Sequence, residues 1–423
     1  MIPVPLEQIA ALSLGRLDGD VPGGVVRRIV ADSRSAGTGD LFVALNRGVD
    51  FVADARARGA ATLVPDDQHA ALAALATLVR ARSSARVVAV VGSTGKTSTK
   101  DILGALCAAV VPTVFAEASL NNEIGLPLTV CRLEPETEVL VTEMGMRGLG
   151  QIAELCAVAR PHVALVTHIG PEHLELVGTV AAVARANAEA IEALPAGGIA
   201  VVPAGADELE PYLGRDDIEV RRFDAAAVER SGEAWRFRLG ERELELGLPF
   251  SARHMAGNAL AALTAYEALG LPLERAHEGA SRIRLSRWRG ELLPLPGGGF
   301  VVNDAYNANP ASLRAALLDL AERGRGRRRL AILGGMAELG ATAPAYHREA
   351  EELARSLEIE VIAVGELGRL YGADRWVPDA AAATSLAGET LEPGDAVLVK
   401  ASRAVGLEGI PERLANIAGE WSS

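Results

Sequence analysis

The stretch from Val87 to Ser98 reads VVAVVGSTGKTS, and it decides the fold class. Its continuous apolar run predicts a buried strand, and the apolar residues after Thr97 recur at helical spacing, which predicts a helix to about residue 109. A glycine-rich turn between a strand and a helix lets backbone N–H groups close around phosphate oxygens, and the helix N-terminus adds a partial positive charge. We therefore expect a mononucleotide to bind here.

Within this loop, the Lys96 ammonium is expected to reach the β- and γ-phosphates, and the Thr97 hydroxyl is expected to bind Mg²⁺. The candidate nucleotide ligands of the loop are Gly92, Ser93, Thr94, Gly95, Lys96, Thr97 and Ser98. The common pattern begins with a glycine where this chain has Val90, so the loop is a variant. The alternative is a helix-start turn that happens to contain Gly-Lys-Thr, but the flanking strand and helix favour a nucleotide site.

Two further side chains follow strands that should end beside the phosphate loop. Glu143 closes the apolar segment 138–143, and His173 follows the apolar segment 163–168. The carboxyl ends of parallel strands meet at one sheet edge, so both side chains are candidate metal ligands. The alternatives are a solvent-facing charge for Glu143 and a structural role for His173. His168 is a weaker candidate than either.

Strands and helices alternate along most of the chain, which predicts an α/β protein of three domains. Residues 1–84 indicate a small N-terminal α/β domain. Residues 85–297 indicate a central ATPase-like domain with the phosphate loop and a parallel sheet, and residues 298–423 a C-terminal Rossmann-like domain.

Particular elements are predicted within these domains. The strands outside the segments already named are predicted at Val26–Ala31, Leu41–Leu45, Ala61–Val64, 198–203, 300–304, 330–333, 361–364 and 396–399, with an antiparallel hairpin over 235–247. The other helices are predicted over 66–85, 257–269, 311–323 and 344–357. The basic segment 323–329 contains glycines and indicates a solvated loop, with phosphate binding as the alternative.

Composition excludes several classes of protein. Of 423 residues, 49% are hydrophobic and 23% charged, which is typical of a globular protein. No apolar run approaches the roughly 18 residues that span a bilayer, and the N-terminus lacks the pattern of a secretory signal. A formal net charge of −13 argues against general nucleic-acid binding. Three cysteines without a CxxC spacing fit reduced thiols, so we expect a cytoplasmic protein without membrane insertion.

Several motifs taken together resemble the central domain of the Mur ligase family. They are GSTGKTS (92–98), NNEIGLP (121–127), TEMG (142–145), IGPEHLE (169–175) and RHMAGNAL (253–260). This family consists of ATP-dependent ligases that extend the peptide of the bacterial cell-wall precursor. The resemblance implies ATP and Mg²⁺ as cofactors, with Lys96, Glu143 and His173 as catalytic residues and with Thr97, Glu143 and His173 as metal ligands. It adds three ATP ligands outside the loop: Asn258, Arg289 and Asp304.

Motifs outside the central domain point to one branch of the family. DAYNANP (304–310), LGGMAELG (333–340) and VKASR (399–403) resemble the members that join D-alanyl-D-alanine to UDP-N-acetylmuramoyl-tripeptide. The implied ligands of the dipeptide and substrate are Tyr306, Asn307, Asn309, Lys400, Ser402 and Arg403. The segment DSR (32–34), followed by GDLFVAL (39–45), is similar to the family's uridine-diphosphate-binding domain. The implied ligands of the UDP-substrate are Ser33, Arg34, Asn121 and Asn122. The resemblance covers all three predicted domains.

One departure from the family pattern concerns metal binding. Members of the family usually have a lysine about fourteen residues after the histidine, and its carbamate helps to bind a second Mg²⁺. In this chain Asn187 occupies that position and cannot be carbamylated. The second metal site is therefore in doubt unless Glu172, Glu175 or Glu189 supplies the missing charge.

The chemistry implied by the resemblance is amide ligation through an acyl phosphate. ATP would phosphorylate the terminal carboxylate of the UDP-linked tripeptide, and the amine of D-alanyl-D-alanine would displace phosphate. This activity belongs to peptidoglycan synthesis, and so to cell-wall biogenesis, cell shape and cell division, and we expect a monomer. The alternatives are another amide ligase of the superfamily, such as a folylpolyglutamate synthase, and a P-loop switch that hydrolyses nucleotide without ligating.

Overall fold

Five β-sheets organise residues 1–419, the part of the chain that the computed structural model describes. One four-stranded sheet and two six-stranded sheets each form the centre of an α/β unit, and the three units follow one another along the chain. The predicted α/β class with three domains is confirmed. Residues 420–423 lie outside the described part.

The N-terminal unit is built from short elements. They are β1 (Val4–Pro5), α1 (Leu6–Ala10), β2 (Gly15–Asp18), β3 (Val25–Val26), β4 (Arg28–Val30), β5 (Asp40–Val43), α2 (Val52–Ala57), β6 (Ala61–Pro65) and α3 (Gln68–Arg80). The main sheet has the order β2-β6-β5-β4, and β1 pairs with β3 in a separate antiparallel ribbon. Helix α3 begins two residues later than predicted because the Asp67 side chain caps it, accepting the N–H groups of His69 and Ala70, and it ends at Arg80, before the predicted residue 85.

The central unit contains the phosphate loop. Its elements are β7 (Arg86–Val91), α4 (Lys96–Ala108), β8 (Thr113–Phe115), α5 (Gly125–Val130), β9 (Val139–Glu143), α6 (Gln151–Ala159), β10 (Val163–Val166), α7 (Leu174–Val177), α8 (Val180–Glu192), β11 (Ile199–Pro203), β12 (Glu219–Phe223), β13 (Val228–Ser231), β14 (Ala234–Leu239), β15 (Arg242–Leu246), α9 (Arg253–Ala268) and α10 (Ala276–Ala280). The six-stranded sheet has the order β12-β11-β10-β7-β9-β8, and every pair in it is parallel.

Strand β7 is apolar throughout because helices cover both of its faces. Val88 and Val90 belong to the cluster with α4 and α9, whereas Val87, Ala89 and Val91 belong to the cluster with α6 and α8. A strand buried on both sides needs no polar alternation, and its continuous apolar sequence follows from this position. The sheet order also places β7 between β9 and β10, so the phosphate loop lies between the ends of those two strands.

The C-terminal unit is a second doubly covered sheet. Its elements are β16 (Glu291–Pro294), β17 (Phe300–Asn303), α11 (Pro310–Arg323), β18 (Arg329–Gly334), α12 (Ala343–Ser356), β19 (Glu360–Val364), β20 (Arg375–Val377), α13 (Ala380–Thr390), β21 (Ala396–Lys400) and α14 (Ile410–Gly419). The order is β16-β17-β21-β18-β19-β20, and the β16–β17 pair is antiparallel whereas the other pairs are parallel.

Some predicted elements are wrong in detail. The single strand predicted at Val26–Ala31 is divided at Arg27 into β3 and β4, which pair in different sheets. The helix predicted to start at residue 257 begins four positions earlier, at Arg253, after Ala252 in an extended conformation. The predicted hairpin over 235–247 is present as β14 and β15, and β13 adds a third strand.

The boundary between the central and C-terminal domains follows from strand pairing. Strand β16 pairs with β17, although the sequence placed residues up to 297 in the central domain. We therefore propose a boundary just before Glu291, and we retain a boundary near residue 84 as a proposal. At the boundary near residue 84, the buried Arg80 connects the N-terminal unit to the central one. Its guanidinium donates to the carbonyl oxygens of Ser83 (2.8 Å), Ala85 (3.3 Å) and Ala159 (2.8 Å).

No helix among residues 1–419 has both the length and the apolar character needed to cross a membrane.

The buried His347 makes the stability of the C-terminal unit sensitive to acid. Its Nε2 accepts the Met336 N–H at 2.9 Å and its Nδ1 lies 2.6 Å from the Ala343 carbonyl oxygen, which requires the neutral ring. Burial lowers the pKa of His347 below the ordinary value of 6.5. The unfolded chain therefore takes up a proton first as the pH falls through 6.5, and stability present above that pH is lost below it.

We predict that lowering the pH from about 7.5 to about 5.5 reduces the melting temperature of the wild type by about 2 °C more than that of His347→Gln. Glutamine can donate and accept at the same positions but does not titrate. The measurement is thermal unfolding followed by circular dichroism, with His277→Gln at an exposed histidine as the matched control. An equal pH response in wild type and His347→Gln would contradict the prediction. Burial also lowers the pKa of His162 and His168. Both histidines are present in the wild type and in each variant, so the difference in pH response reports on His347.

Candidate active site

A cavity of about 940 Å³ lies between the central and C-terminal units. It is lined by most residues that the sequence proposed for the site: Ser93, Thr94, Gly95, Lys96, Thr97, Ser98, Asn121, Asn122, Glu143, His173, Asn258, Arg289, Asp304, Tyr306, Asn307, Asn309, Lys400, Ser402 and Arg403. The fold therefore joins residues as far apart in the sequence as Ser93 and Arg403.

The phosphate loop requires its two glycines for steric reasons. Gly92 has φ +127°, and a Cβ there would lie 2.3 Å from Thr167 Oγ1. Gly95 has φ +84°, and a Cβ there would lie 2.6 Å from Asn258 Oδ1. The close approach to the segment after β10 is made by Gly92, whereas Val90 is a buried residue near the end of β7. The variant spacing is thus compatible with a phosphate loop.

Lys96 is the first residue of α4 and points into the cavity. Its ammonium lies 3.2 Å from Glu172 Oε1 and also donates to the Gly92 carbonyl oxygen. Both side chains of the ion pair are largely buried, so the charges attract each other in a poorly screened environment. The pair holds Lys96 in the loop at the place where phosphate oxygens are expected.

Glu143 ends β9 and is only 1% exposed. Its Oε1 accepts the Asn121 Nδ2 amide at 2.7 Å, while its Oε2 is buried without a hydrogen-bond partner among the described residues. A buried carboxylate oxygen without a partner is costly unless a cation neutralises it. Glu143 and the Thr97 hydroxyl, which line the same cavity, therefore fit a hard cation such as Mg²⁺.

Asn121 and Asn122 occupy positions with different partners. Asn121 was proposed for the UDP-substrate, and the structure places it against Glu143. Asn122 Oδ1 accepts the N–H groups of Ile124 (3.3 Å) and Gly125 (2.9 Å) at the start of α5. Asn122 is therefore a helix-start residue as well as part of the cavity wall.

His173 has a left-handed backbone, with φ +52°, directly before α7. Its Nδ1 contacts the Glu338 carboxylate of the C-terminal unit, and its Nε2 lies 3.7 Å from Glu172 Oε1. Within residues 1–419, no three His, Cys, Asp or Glu side chains converge as a metal-binding group. Mg²⁺ is usually held by one or two carboxylates together with substrate phosphates, so a sparse protein ligand set is compatible with it.

Arg289 reaches the phosphate loop from the segment that crosses into the C-terminal unit. Its Nη2 donates to Thr97 Oγ1 at 2.8 Å, and its guanidinium lies 4.0 Å from the centre of the Tyr306 ring. Its Nε is buried and has no partner in the described chain. A guanidinium beside the loop with an unused donor is suited to phosphate oxygens.

The motifs of the C-terminal unit form the opposite wall. Lys400 Nζ donates to Asp304 Oδ2 at 2.5 Å and to the Asn307 carbonyl oxygen at 2.9 Å. Asn309 caps α11 and donates to the Ser93 carbonyl oxygen at 3.0 Å, which ties this wall to the phosphate loop. These contacts hold the DAYNANP loop in shape.

Two more residues of this wall support neighbouring segments. Ser402 Oγ accepts the Ala337 N–H at 2.8 Å, and the Arg403 guanidinium lies 4.3 Å from the Trp288 ring.

Trp288 has φ +60° and Glu338 has φ +60°, both unusual for residues with side chains. Such backbone conformations are often found at functional sites.

Asn187 lies behind the phosphate loop. It is 1% exposed, its Oδ1 accepts the Gly92 N–H at 2.6 Å, and its Nδ2 donates to the Val183 carbonyl oxygen at 2.8 Å. The amide is therefore committed to supporting the loop. Glu189 accepts the N–H groups of Gly150 (2.6 Å) and Ala153 (3.0 Å) at the start of α6, so it is not free to replace a carbamate. Of the three acidic candidates, Glu172 lines the cavity.

His168 lies beside the loop and is not part of the cavity lining. Its Nδ1 is 3.0 Å from Ser93 Oγ. Burial lowers the pKa of His168, so the neutral ring can accept a hydrogen bond from the Ser93 hydroxyl. This partner explains the residue without a metal.

Ser33 and Arg34 lie outside the cavity, on the N-terminal unit. Ser33 is buried, while the Arg34 side chain is 85% exposed and pairs with Asp32 at 2.7 Å. Hydrogen bonds from Arg34 lower the pKa of Asp32 to about 2. The guanidinium is thus available at the surface for a further ligand, and the role proposed for these two residues stays a prediction.

Sequence reasoning missed several residues of the cavity. The structure adds Gln151, Arg147, His254, Met255, Ala337, Glu338 and Leu339. Glu338 was within the quoted LGGMAELG motif, but only the fold shows that its carboxylate contacts His173. His254 lies in the quoted RHMAGNAL motif, whereas Arg147 and Gln151 had no signal of their own.

Comparison with known proteins follows the same division of the chain. Residues 90–266 match the family model described as the Mur ligase middle domain, and residues 288–403 match the one described as Mur ligase, glutamate ligase domain. The UDP-N-acetylmuramoyl-tripeptide–D-alanyl-D-alanine ligase of Escherichia coli is 32% identical over 400 residues, which cover 86% of this chain and 87% of the relative.

Solved structures agree with this match over nearly the whole length. A crystal structure of MurF from Acinetobacter baumannii has a TM-score of 0.85 at 27% identity and covers 98% of this chain and 99% of its own. The MurF ligase from Thermotoga maritima in complex with ADP has a TM-score of 0.82 at 26% identity and covers 94% and 99%. With its domain order, phosphate loop and C-terminal motifs matched together, this chain belongs to the Mur ligase family.

Proposed function

We propose that the protein is an ATP-dependent amide ligase that joins D-alanyl-D-alanine to UDP-N-acetylmuramoyl-tripeptide in peptidoglycan precursor synthesis. The observation that carries the proposal is the single cavity that unites the phosphate loop with the DAYNANP and VKASR motifs. The 32% identical relative from Escherichia coli is named for this activity. A P-loop switch would not need the C-terminal wall, and this argues against that alternative.

The residues of the cavity divide the reaction between the two walls. The phosphate loop and Lys96 would bind and orient the ATP phosphates, with Asn258 beside Gly95 near the nucleotide and Arg289 donating to phosphate oxygens. A carboxylate substrate held against the γ-phosphate would become an acyl phosphate, which the dipeptide amine then attacks. Alignment and charge neutralisation supply most of the rate in phosphoryl transfer.

The donor set of the cavity fits Mg²⁺, which Thr97 and Glu143 would hold, with His173 in the same cavity lining. The support is the buried Glu143 Oε2, which has no other partner in the described chain. Bound Mg²⁺ would neutralise charge on the phosphates. If Glu172 instead supplied the missing charge once Lys96 turns toward phosphate, the Mg²⁺ requirement would be ordinary.

The remaining roles extend this proposal to the other substrates. The C-terminal wall, with Tyr306, Asn307, Asn309, Lys400, Ser402 and Arg403, would hold the tripeptide end and the dipeptide. Ser33 and Arg34 would hold the uridine diphosphate, because an exposed guanidinium can bind a diphosphate through two hydrogen bonds. We further propose that the enzyme acts as a monomer in the cytoplasm, where buried, unpaired cysteines such as Cys107, Cys131 and Cys156 stay reduced.

The direct test is phosphate release from ATP with purified enzyme. We expect release that depends on both UDP-N-acetylmuramoyl-tripeptide and D-alanyl-D-alanine, with the joined product detected by mass spectrometry. Nucleotide turnover without any carboxylate and amine would indicate a switch, and turnover with a different acid would indicate another amide ligase. Parallel reactions with lysine-ended and diaminopimelate-ended tripeptides define the third residue of the substrate.

We predict that Lys96→Ala lowers kcat by about 10²-fold or more, because it removes a preorganised charge from the transferring phosphoryl group. The measurement is steady-state ligation with each substrate varied in turn. Arg34→Ala, at the proposed uridine-diphosphate site, is the comparison variant. We expect it to raise KM for the UDP-substrate while KM for ATP changes little. Near-normal kcat in Lys96→Ala would contradict the assignment of the loop.

We predict that wild-type activity does not respond to bicarbonate and requires higher Mg²⁺ than lysine-containing relatives need. The chain has three lysines, Lys96, Lys100 and Lys400, and each ammonium already has a carboxylate partner. The chain therefore has no unpaired lysine that could form the carbamate. The measurement is a Mg²⁺ titration of wild type beside Asn187→Lys, each with and without bicarbonate. Asn187→Ala is the control for loss of the bond to Gly92, and an equal bicarbonate response in wild type would show that one of the three lysines is modified.

A further inference from the structure

A buried ion pair one turn into α4 is not part of the cavity wall. Lys100 is 0% exposed, and its ammonium donates to Asp101 Oδ1 at 2.6 Å and to the carbonyl oxygens of Ala116 and Ala118, both at 2.7 Å. All three ammonium protons therefore have acceptors. Asp101 uses its second oxygen, Oδ2, to accept the Ser286 N–H at 2.7 Å and the Ser286 hydroxyl at 2.8 Å.

Each contact of this pair leads to a residue of the active site. The segment held by Lys100 continues to Asn121, which donates to Glu143. Ser286, held by Asp101, is three residues before Arg289, which donates to Thr97. The pair itself lies on α4, the helix that begins with Lys96. One helix therefore follows the phosphate loop and also contacts the segments that lead to Asn121 and Arg289.

The choice of lysine supports a specific role. The sequence contains 42 lysines and arginines, and only three of these are lysines. Lys96 and Lys400 line the cavity, and Lys100 lies outside the lining, four residues after Lys96 on α4. An ammonium is a compact charge with three donors, whereas a guanidinium is planar and larger. In a chain that otherwise uses arginine, a lysine with three buried acceptors indicates that this geometry matters.

We propose that Lys100 and Asp101 are positioning residues for ATP binding and phosphoryl transfer, and that Asp101 acts by holding the segment 286–289 so that Arg289 reaches the phosphate loop. Neither side chain lies in the cavity, so both act through other residues. The kinetic part of this inference rests on the proposed function, because kcat/KM is measured for the proposed ligation. Nucleotide affinity can be measured whether or not the protein catalyses that reaction.

The experiment is a double-mutant cycle between Asp101→Asn and Arg289→Ala. We expect Asp101→Asn to lower kcat/KM for ATP by about tenfold, because it weakens charge-assisted hydrogen bonds to Ser286. KM for the UDP-substrate should stay within about twofold. In the Arg289→Ala background the same substitution should change kcat/KM for ATP by less than about twofold, because the side chain through which it acts is gone.

A matched control separates positioning from stability. Asp395 is also a buried carboxylate outside the cavity, paired with Arg328 at 3.3 Å and accepting the Glu392 N–H at 2.9 Å. Unlike Asp101, it lies directly before β21, at the opposite end of that strand from the cavity residue Lys400. We expect Asp395→Asn to lower the melting temperature while leaving KM for ATP unchanged. ADP affinity measured by calorimetry should fall in Asp101→Asn and stay constant in Asp395→Asn.

A milder variant keeps the test usable if Asp101→Asn does not fold. Ser286→Ala removes one of the two hydrogen bonds to Asp101 and leaves the buried pair intact. We expect about a threefold loss in kcat/KM for ATP, again absent in the Arg289→Ala background. Additive effects in the cycle, or equal losses for ATP and the UDP-substrate, would overturn the inference. If the wild type binds ADP but does not ligate the proposed substrates, the proposed function fails and the ADP affinities still decide this inference.

Discussion

Parallel pairing of β7 between β9 and β10 is the constraint on which the active site depends. Because all three strands run in the same direction, the phosphate loop, Glu143 and the segment leading to His173 emerge at one edge of the sheet. The apolar sequence of β7 is required by burial on both faces, and this burial holds the loop in place at the carboxyl end of the strand. A loop on an edge strand would lack one of these two neighbours.

The cavity also depends on a second domain that reaches across it. Asn309 donates to the Ser93 carbonyl oxygen, Glu338 contacts His173, and Arg289 donates to Thr97. The first contact joins the phosphate loop to the C-terminal unit, the second joins that unit to the segment after β10, and the third ties the connecting segment to the start of α4. Binding of ATP can therefore be coupled to the arrangement of the opposite wall, as a ligase needs when it must bring three reactants together and exclude water.

Charge at the site is arranged locally, although the chain as a whole is acidic. Each of the three lysines pairs with a carboxylate, and two of these pairs line the cavity while the third lies behind the phosphate loop. Buried charges are tolerated when they are paired and hydrogen-bonded, and removing one partner leaves an unpaired charge that costs several kcal/mol. The Lys100–Asp101 pair meets this requirement with acceptors from the segment 116–118 and donors from Ser286.

The sequence by itself determined the α/β class, the phosphate loop and the family, because these depend on local patterns such as the apolar run into GSTGKTS and on short contiguous motifs. It predicted most cavity residues through those motifs. It could not determine the partners of their side chains: that Asn187 accepts the Gly92 N–H, that Glu338 reaches His173, or that Asp101 holds Ser286. These contacts join residues distant in sequence, and only the packing of strands, helices and domains decides which side chains meet.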